Sequence, residues 1–176
     1  MKRFLLLFVV CIVACNEAPK EDMAKVAEVE HNAKAENIKL DIYDYDGLAP
    51  LINKSDNKIH VVNFWATWCA PCVKELPYFE KLNAKYSDKN IDMLLVSLDF
   101  PRQYDKKLKP FLKKNQLKSK VVCLDDVDQN RWIPAIDSSW SGAIPATIIY
   151  KGDKRKFFEK SFTYEELENE LKQFIN

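Results

Sequence analysis

Neither sign of charge dominates this sequence. Its 27 basic and 26 acidic side chains leave a formal net charge of +1, which is no electrostatic footprint for a nucleic-acid partner. Long apolar runs are also missing. The run from Phe4 to Val13 covers about ten residues, half of the roughly 20 that a membrane-spanning helix needs. Histidine is scarce: His31 and His60 are the two in the chain. Neither stands in a motif with serine or a cysteine pair, so no hydrolase-like constellation forms. No internal repeat or low-complexity tract is present. Five cysteines, an odd number, do not make the even, evenly spread set of a disulfide-stapled secreted module. What remains is a chain of 176 residues, 47% apolar and 12% aromatic. That is enough for one domain with a sizeable core, and it is not the composition of a disordered chain.

Residues 1–15 read as a targeting segment. Lys2 and Arg3 precede the apolar run Phe4–Val13, the layout of a secretory signal. Ile12-Val13-Ala14-Cys15 then resembles a bacterial lipobox. That resemblance implies a signal peptide over residues 1–14, removed before a lipidated Cys15, with Cys11 discarded; the alternative is an ordinary signal peptide that contains cysteines. Loss of residues 1–14 would leave 25 basic against 26 acidic side chains. Multiple acyl chains anchor a protein stably where one is marginal. The mature chain is therefore expected on a membrane, facing an oxidising compartment. Residues 15–36 are charged and alanine-rich and read as a solvated tether, with His31 exposed. The domain proper is expected at 37–176.

Within it, the alternation Ile38–Tyr43 predicts a short edge strand. Gly47–Lys54 reads as a short helix or loop. Ile59–Trp65, β-branched and aromatic, predicts a buried central strand, in which His60 is structural. A helix is expected from Ala70 to Tyr86, since Leu76, Phe79, Leu82 and Tyr86 recur at helical spacing; Pro77 should bend it. A strand at Ile91–Asp99, a basic helix at Asp105–Gln116, a strand at Lys120–Leu124 and a short helix at Asp126–Ala135 follow. Thr147–Tyr150 forms another strand, and Gly152-Asp153 turns it into a hairpin with Lys156–Lys160. Thr163-Tyr164-Glu165-Glu166 has the capping-box pattern and opens a last helix to Ile175. Such alternation predicts an α/β fold, a central mixed sheet flanked by helices. Cys123, alone in a strand, reads as a buried inert thiol.

The strongest signal is Trp65-Ala66-Thr67-Trp68-Cys69-Ala70-Pro71-Cys72, which joins a strand to an amphipathic helix. That context places Cys69 at a helix N-terminus. Free backbone N–H groups and the helix dipole there favour a thiolate, the form that attacks disulfides. Cys72, one turn later, is within reach to resolve a mixed disulfide. The run, extended through Cys72-Val73-Lys74-Glu75-Leu76-Pro77, resembles the thioredoxin superfamily. Its nearest likeness is to the TlpA/ResA-like extracytoplasmic thiol–disulfide oxidoreductases. The resemblance covers roughly Ile38–Ile175 and is tight at residues 61–77 and 142–150.

By that resemblance the fold is thioredoxin-like, Cys69 and Cys72 are catalytic, and Glu75 modulates proton transfer beside them, the alternative being a surface helix Glu. Asn63 stands where thioredoxin has a buried Asp, and it cannot titrate, so either a different acid helps, with Glu75 the natural candidate, or the reaction relies on water. Pro145 in Gly142-Ala143-Ile144-Pro145-Ala146 matches the superfamily's cis-proline, the alternative being an ordinary trans-Pro in a loop; Ala146 departs from the Thr often found there. A cis peptide would expose the Ile144 backbone to an extended client. Trp68, Ile144 and Pro145 are then the client-binding residues. Trp132 and Trp140 either line that surface or fill the core.

The resemblance implies reduction of disulfides in extracytoplasmic protein clients, apocytochrome c for example, by a monomer fed with electrons by a membrane partner. It needs no cofactor beyond a redox-active Cys69–Cys72 disulfide and no metal. A disulfide oxidant or isomerase is the alternative direction. A Cu(I) chaperone is a third reading, since thiolates suit Cu(I), but no His falls near the pair. Peroxide reduction would need a Pro–Thr–Cys arrangement absent here.

Overall fold

The structure, a computed structural model, describes residues 38–175. The leader, Cys15, the tether and His31 lie outside the described residues.

Six strands form one sheet: β1 (Asp41–Tyr43), β2 (Ile59–Trp65), β3 (Ile91–Ser97), β4 (Lys120–Leu124), β5 (Ala146–Lys151) and β6 (Lys154–Phe158). Their spatial order is β1-β4-β3-β2-β5-β6. The first four run parallel, while β5 and β6 are antiparallel to their neighbours. The helices are α1 (Tyr45–Ile52), α2 (Ala70–Lys85), α3 (Lys109–Asn115), α4 (Gln129–Ile136) and α5 (Tyr164–Lys172). This is the expected α/β arrangement, with β1 at the sheet edge and β2 inside.

Every residue of β2 is buried, yet its side chains still serve two cores by alternation. Ile59, Val61 and Trp65 join Leu76, Phe79 and Leu82 of α2, Leu108, and Leu167 and Leu171 of α5. Val62 and Phe64 face the other way, towards Leu48 and Ile52 of α1 and Trp132 and Ile136 of α4. Trp140 lies in that second core too; it is a packing residue, whereas Trp132 both packs there and lines the groove beside Trp68.

Local signals set several boundaries. The Asp44 side chain accepts the Gly47 N–H at 2.8 Å and starts α1. Thr163 and Glu166 complete the capping box of α5 in both directions. The helix α2 is continuous through Pro77, although that residue supplies no N–H to the Val73 carbonyl.

The segment after β3 differs from the single helix expected at 105–116. A short 3₁₀ turn, Pro101–Gln103, leads into a π turn, Tyr104–Leu108, before α3. Pro110 cannot donate to the Lys106 carbonyl. The register widens instead, and the Lys109 N–H bonds to the Tyr104 carbonyl, five residues back.

Candidate active site

Parallel order brings the loops that follow β2, β3 and β4 to one end of the sheet. The segment entering the antiparallel β5 begins at that same end. Cys69 lies there. It is the N-cap of α2, and its Sγ accepts the Cys72 N–H at 3.3 Å. The two cysteines are joined in a disulfide with Cα atoms 5.3 Å apart. Cys69 is 6% exposed and Cys72 is fully buried, so an incoming group meets Cys69 first. The Ile144–Pro145 bond is cis, and the Ile144 carbonyl oxygen lies 3.7 Å from Cys69 Sγ.

Glu75 is no surface residue: it is 1% exposed. Three residues after Cys72, it shares that residue's face of the helix. Its carboxylate accepts the Phe162 N–H at 2.7 Å and the Asn63 amide at 3.1 Å. Burial outweighs these two donors and pushes its pKa up to about 7. Asn63 also donates to Thr147 Oγ1, its cross-strand partner on β5, while its Oδ1 is left without a partner. A half-turn of the amide would let Oδ1 accept the O–H of protonated Glu75. Glu75 also forms part of the wall of a pocket of about 260 Å³ with Pro71, Tyr78 and Phe162.

The loop carrying Cys69 is tied down from β3. Asp99, itself buried, accepts the Thr67 N–H at 3.0 Å, the Thr67 hydroxyl and the Ser97 hydroxyl. Beside Cys69 a groove of about 420 Å³ is lined by Trp68, Phe100, Val127, Ile133 and Ile144, with Asp125 and Asp126 also in its wall. Trp68 is 52% exposed and stacks on Phe100; Val127 is 96% exposed. Three of the four exposed large apolar side chains among the described residues therefore collect around this groove, as expected of a surface that receives another chain. Phe100, Val127 and Asp99 belong to no motif. Their sequence signal is positional: Phe100 and Val127, like Trp68, sit just past the C-terminal end of a parallel strand.

The remaining candidates lie elsewhere. His60 is at the far end of β2, stacked on Tyr150, with its ring nitrogens 2.7 Å from Asp56 and 3.3 Å from Asp92. Cys123 is a buried free thiol whose pKa burial pushes up to about 12.

The redoxin family matches residues 30–146. A thiol-disulfide oxidoreductase ResA of Oceanobacillus iheyensis is 33% identical over 95 residues, 54% of this chain and 50% of that protein. A ResA of Bacillus thuringiensis subsp. konkukian is 29% identical over 120 residues, 68% of this chain and 66% of that one. The chain thus spans between half and two thirds of the length of these relatives. Among solved structures, a thioredoxin-related protein from Neisseria meningitidis serogroup B superposes with a TM-score of 0.58 at 22% identity, covering 69% of this chain and 87% of that one. A thiol:disulfide interchange protein from Chlorobium tepidum gives 0.57 at 18% identity, covering 76% and 90%. At these identities the two structures speak for the thioredoxin fold.

Proposed function

Because the chain belongs to the redoxin family, and within it is TlpA/ResA-like, we propose that it reduces disulfides of protein clients through Cys69 and Cys72. The carrying observation is the asymmetry of the pair. Cys69 caps a helix at the surface beside an apolar groove, whereas Cys72 is buried one helical turn from Glu75.

In the reduced protein the α2 N-terminus and the Cys72 N–H stabilise a thiolate at Cys69. That thiolate attacks one client sulfur, the client S–S bond breaks, and the other client sulfur leaves as a thiolate that takes up a proton. Cys72 then gives its proton to Glu75, whose pKa near neutrality suits both acceptance and release. The Cys72 thiolate attacks Cys69 Sγ and expels the second client thiolate, which is protonated in turn. Two electrons pass to the client, and the Cys69–Cys72 disulfide remains, the state seen in this structure. A partner protein must supply two electrons to reset it; no further cofactor or metal is needed.

The client is an extended segment lying over Trp68 and Ile144, paired with the Ile144 backbone beside Pro145. The lipobox-like leader supports an extracytoplasmic, lipid-anchored location, with the electron donor in the same membrane. Among the described residues no helix is long and apolar enough to cross a membrane.

The test is direct. Reduced protein should cleave the disulfides of insulin, Cys69→Ser should abolish this, and Cys72→Ser should accumulate client bound through Cys69. A reduced protein that leaves an added disulfide intact would sink the proposal. A measured potential well above the glutathione range would reverse the direction and favour the oxidant.

A further inference from the structure

Glu159 directly follows the edge strand β6 and lies outside every motif of the sequence. Its carboxylate gathers three donors from one short strap. Oε2 accepts the Ser141 N–H at 3.1 Å, and Oε1 accepts the Ala143 N–H at 3.1 Å together with the Ser141 hydroxyl. Among the described residues it has no basic partner within ion-pair distance, so these donors define its surroundings. They hold its pKa below the usual carboxylate range, the Ser141 hydroxyl most strongly.

The strap is fixed from its other side as well. The Ala143 carbonyl accepts the Trp140 indole N–H at 2.8 Å, and that indole packs on Phe64, Trp132 and Phe157. Between the two anchors Gly142 adopts φ +93°, and an added Cβ there would stand 2.9 Å from Ile133 Cδ1. Directly after the strap comes Ile144, whose carbonyl oxygen lies 3.7 Å from Cys69 Sγ and which helps to line the groove.

We propose that Glu159 is a positioning residue for client binding: by clamping Ser141–Ala143 it presents the Ile144 backbone at the height a client strand needs. This rests on the oxidoreductase reading above. Glu159 does not touch the sulfurs and has no part in the electron transfer. Its effect should therefore appear where a polypeptide must be held, and not where a small disulfide diffuses to Cys69.

The experiment compares two substrates on the full chain: hydroxyethyl disulfide, and a synthetic peptide of about ten residues closed by one disulfide. For Glu159→Ala the peptide KM should rise roughly five- to tenfold, as expected for losing hydrogen bonds to an ionised, solvent-facing group. The peptide kcat, the Cys69–Cys72 potential and the hydroxyethyl disulfide rate should hold within about twofold. Glu159→Gln, which keeps an acceptor, should recover part of the KM. Ser141→Ala removes one donor and leaves the backbone pair, so it should give a smaller rise in the same direction. It decides the matter if Glu159→Ala does not fold. An unchanged peptide KM, or an equal loss on both substrates, overturns the proposal. If the wild type reduces neither substrate, the oxidoreductase reading itself falls, and the clamp with it.

Discussion

Glu75 carries the most informative chemistry of any single residue. It is buried and pushed up to about 7 from 4.5. Folding therefore makes it hold its proton more tightly than the unfolded chain does. The resulting stability is fully present below about pH 4.5 and is lost as pH rises through about 7. Denaturant melts from pH 4 to 8 should show a loss on the order of 1–3 kcal/mol. Glu75→Gln should flatten that slope, and it should slow release of the mixed disulfide most at neutral pH. A slope that survives in the variant would assign it to another group. Cys123 gives the contrasting case. Buried and pushed up to about 12, it should resist iodoacetamide in the native protein after Cys69 and Cys72 are reduced and labelled, and react once urea is added. Native labelling at Cys123, read by peptide mass, would contradict its burial.

Between elements, one carboxylate joins two helices on the active-site side of the sheet. Glu168 of α5 accepts Lys85 of α2 at 2.6 Å and Lys172 at 2.9 Å, and it takes hydroxyl hydrogen bonds from Tyr86 and Tyr164. Lys85 foremost, then Lys172 and Tyr164, hold its pKa down at about 2. The sign is opposite to that of Glu75. This stabilisation is present above about pH 4.5 and is lost as pH falls towards 2. Glu168→Gln should therefore melt below the wild type at pH 7, and the gap should narrow steadily between pH 4.5 and 2. A constant gap in thermal melts would mean that charge is irrelevant there. Capping explains why α5 begins where it does, and the missing N–H of Pro110 explains why the segment before α3 widens into a π turn. The first was legible from Thr163 and Glu166. The second was not, because a Pro one residue into a helix is common, and nothing local indicates that the turn before it will be π.

For the molecule as a whole, the sheet is the shared wall of two cores, one under α2, α3 and α5 and one under α1 and α4. Ile149 points into the first and Ile52 lies in the second, both fully buried. Ile149→Val and Ile52→Val should each cost about 0.5–1.5 kcal/mol. With the sheet between them, the double variant should equal the sum within about 0.5 kcal/mol, in one cooperative transition. Two separated transitions in urea would show that the faces unfold independently.

Alternating hydrophobicity, capping residues and the Cys69-Ala70-Pro71-Cys72 spacing determined by themselves the strands, the order of helices and the reactive pair. These depend on neighbours within one or two turns of chain, where physical preferences are local. Tertiary structure alone decided the rest. It brought the Phe162 N–H, 87 residues away, to the Glu75 carboxylate, and by desolvating that carboxylate it pushed an ordinary acid up to about 7 in spite of this donor. It gathered Trp68, Phe100 and Val127 from three loops into one groove, and it set Glu159 under the strap before Pro145. Desolvation and convergence of loops are properties of the assembled sheet, and no stretch of sequence contains them.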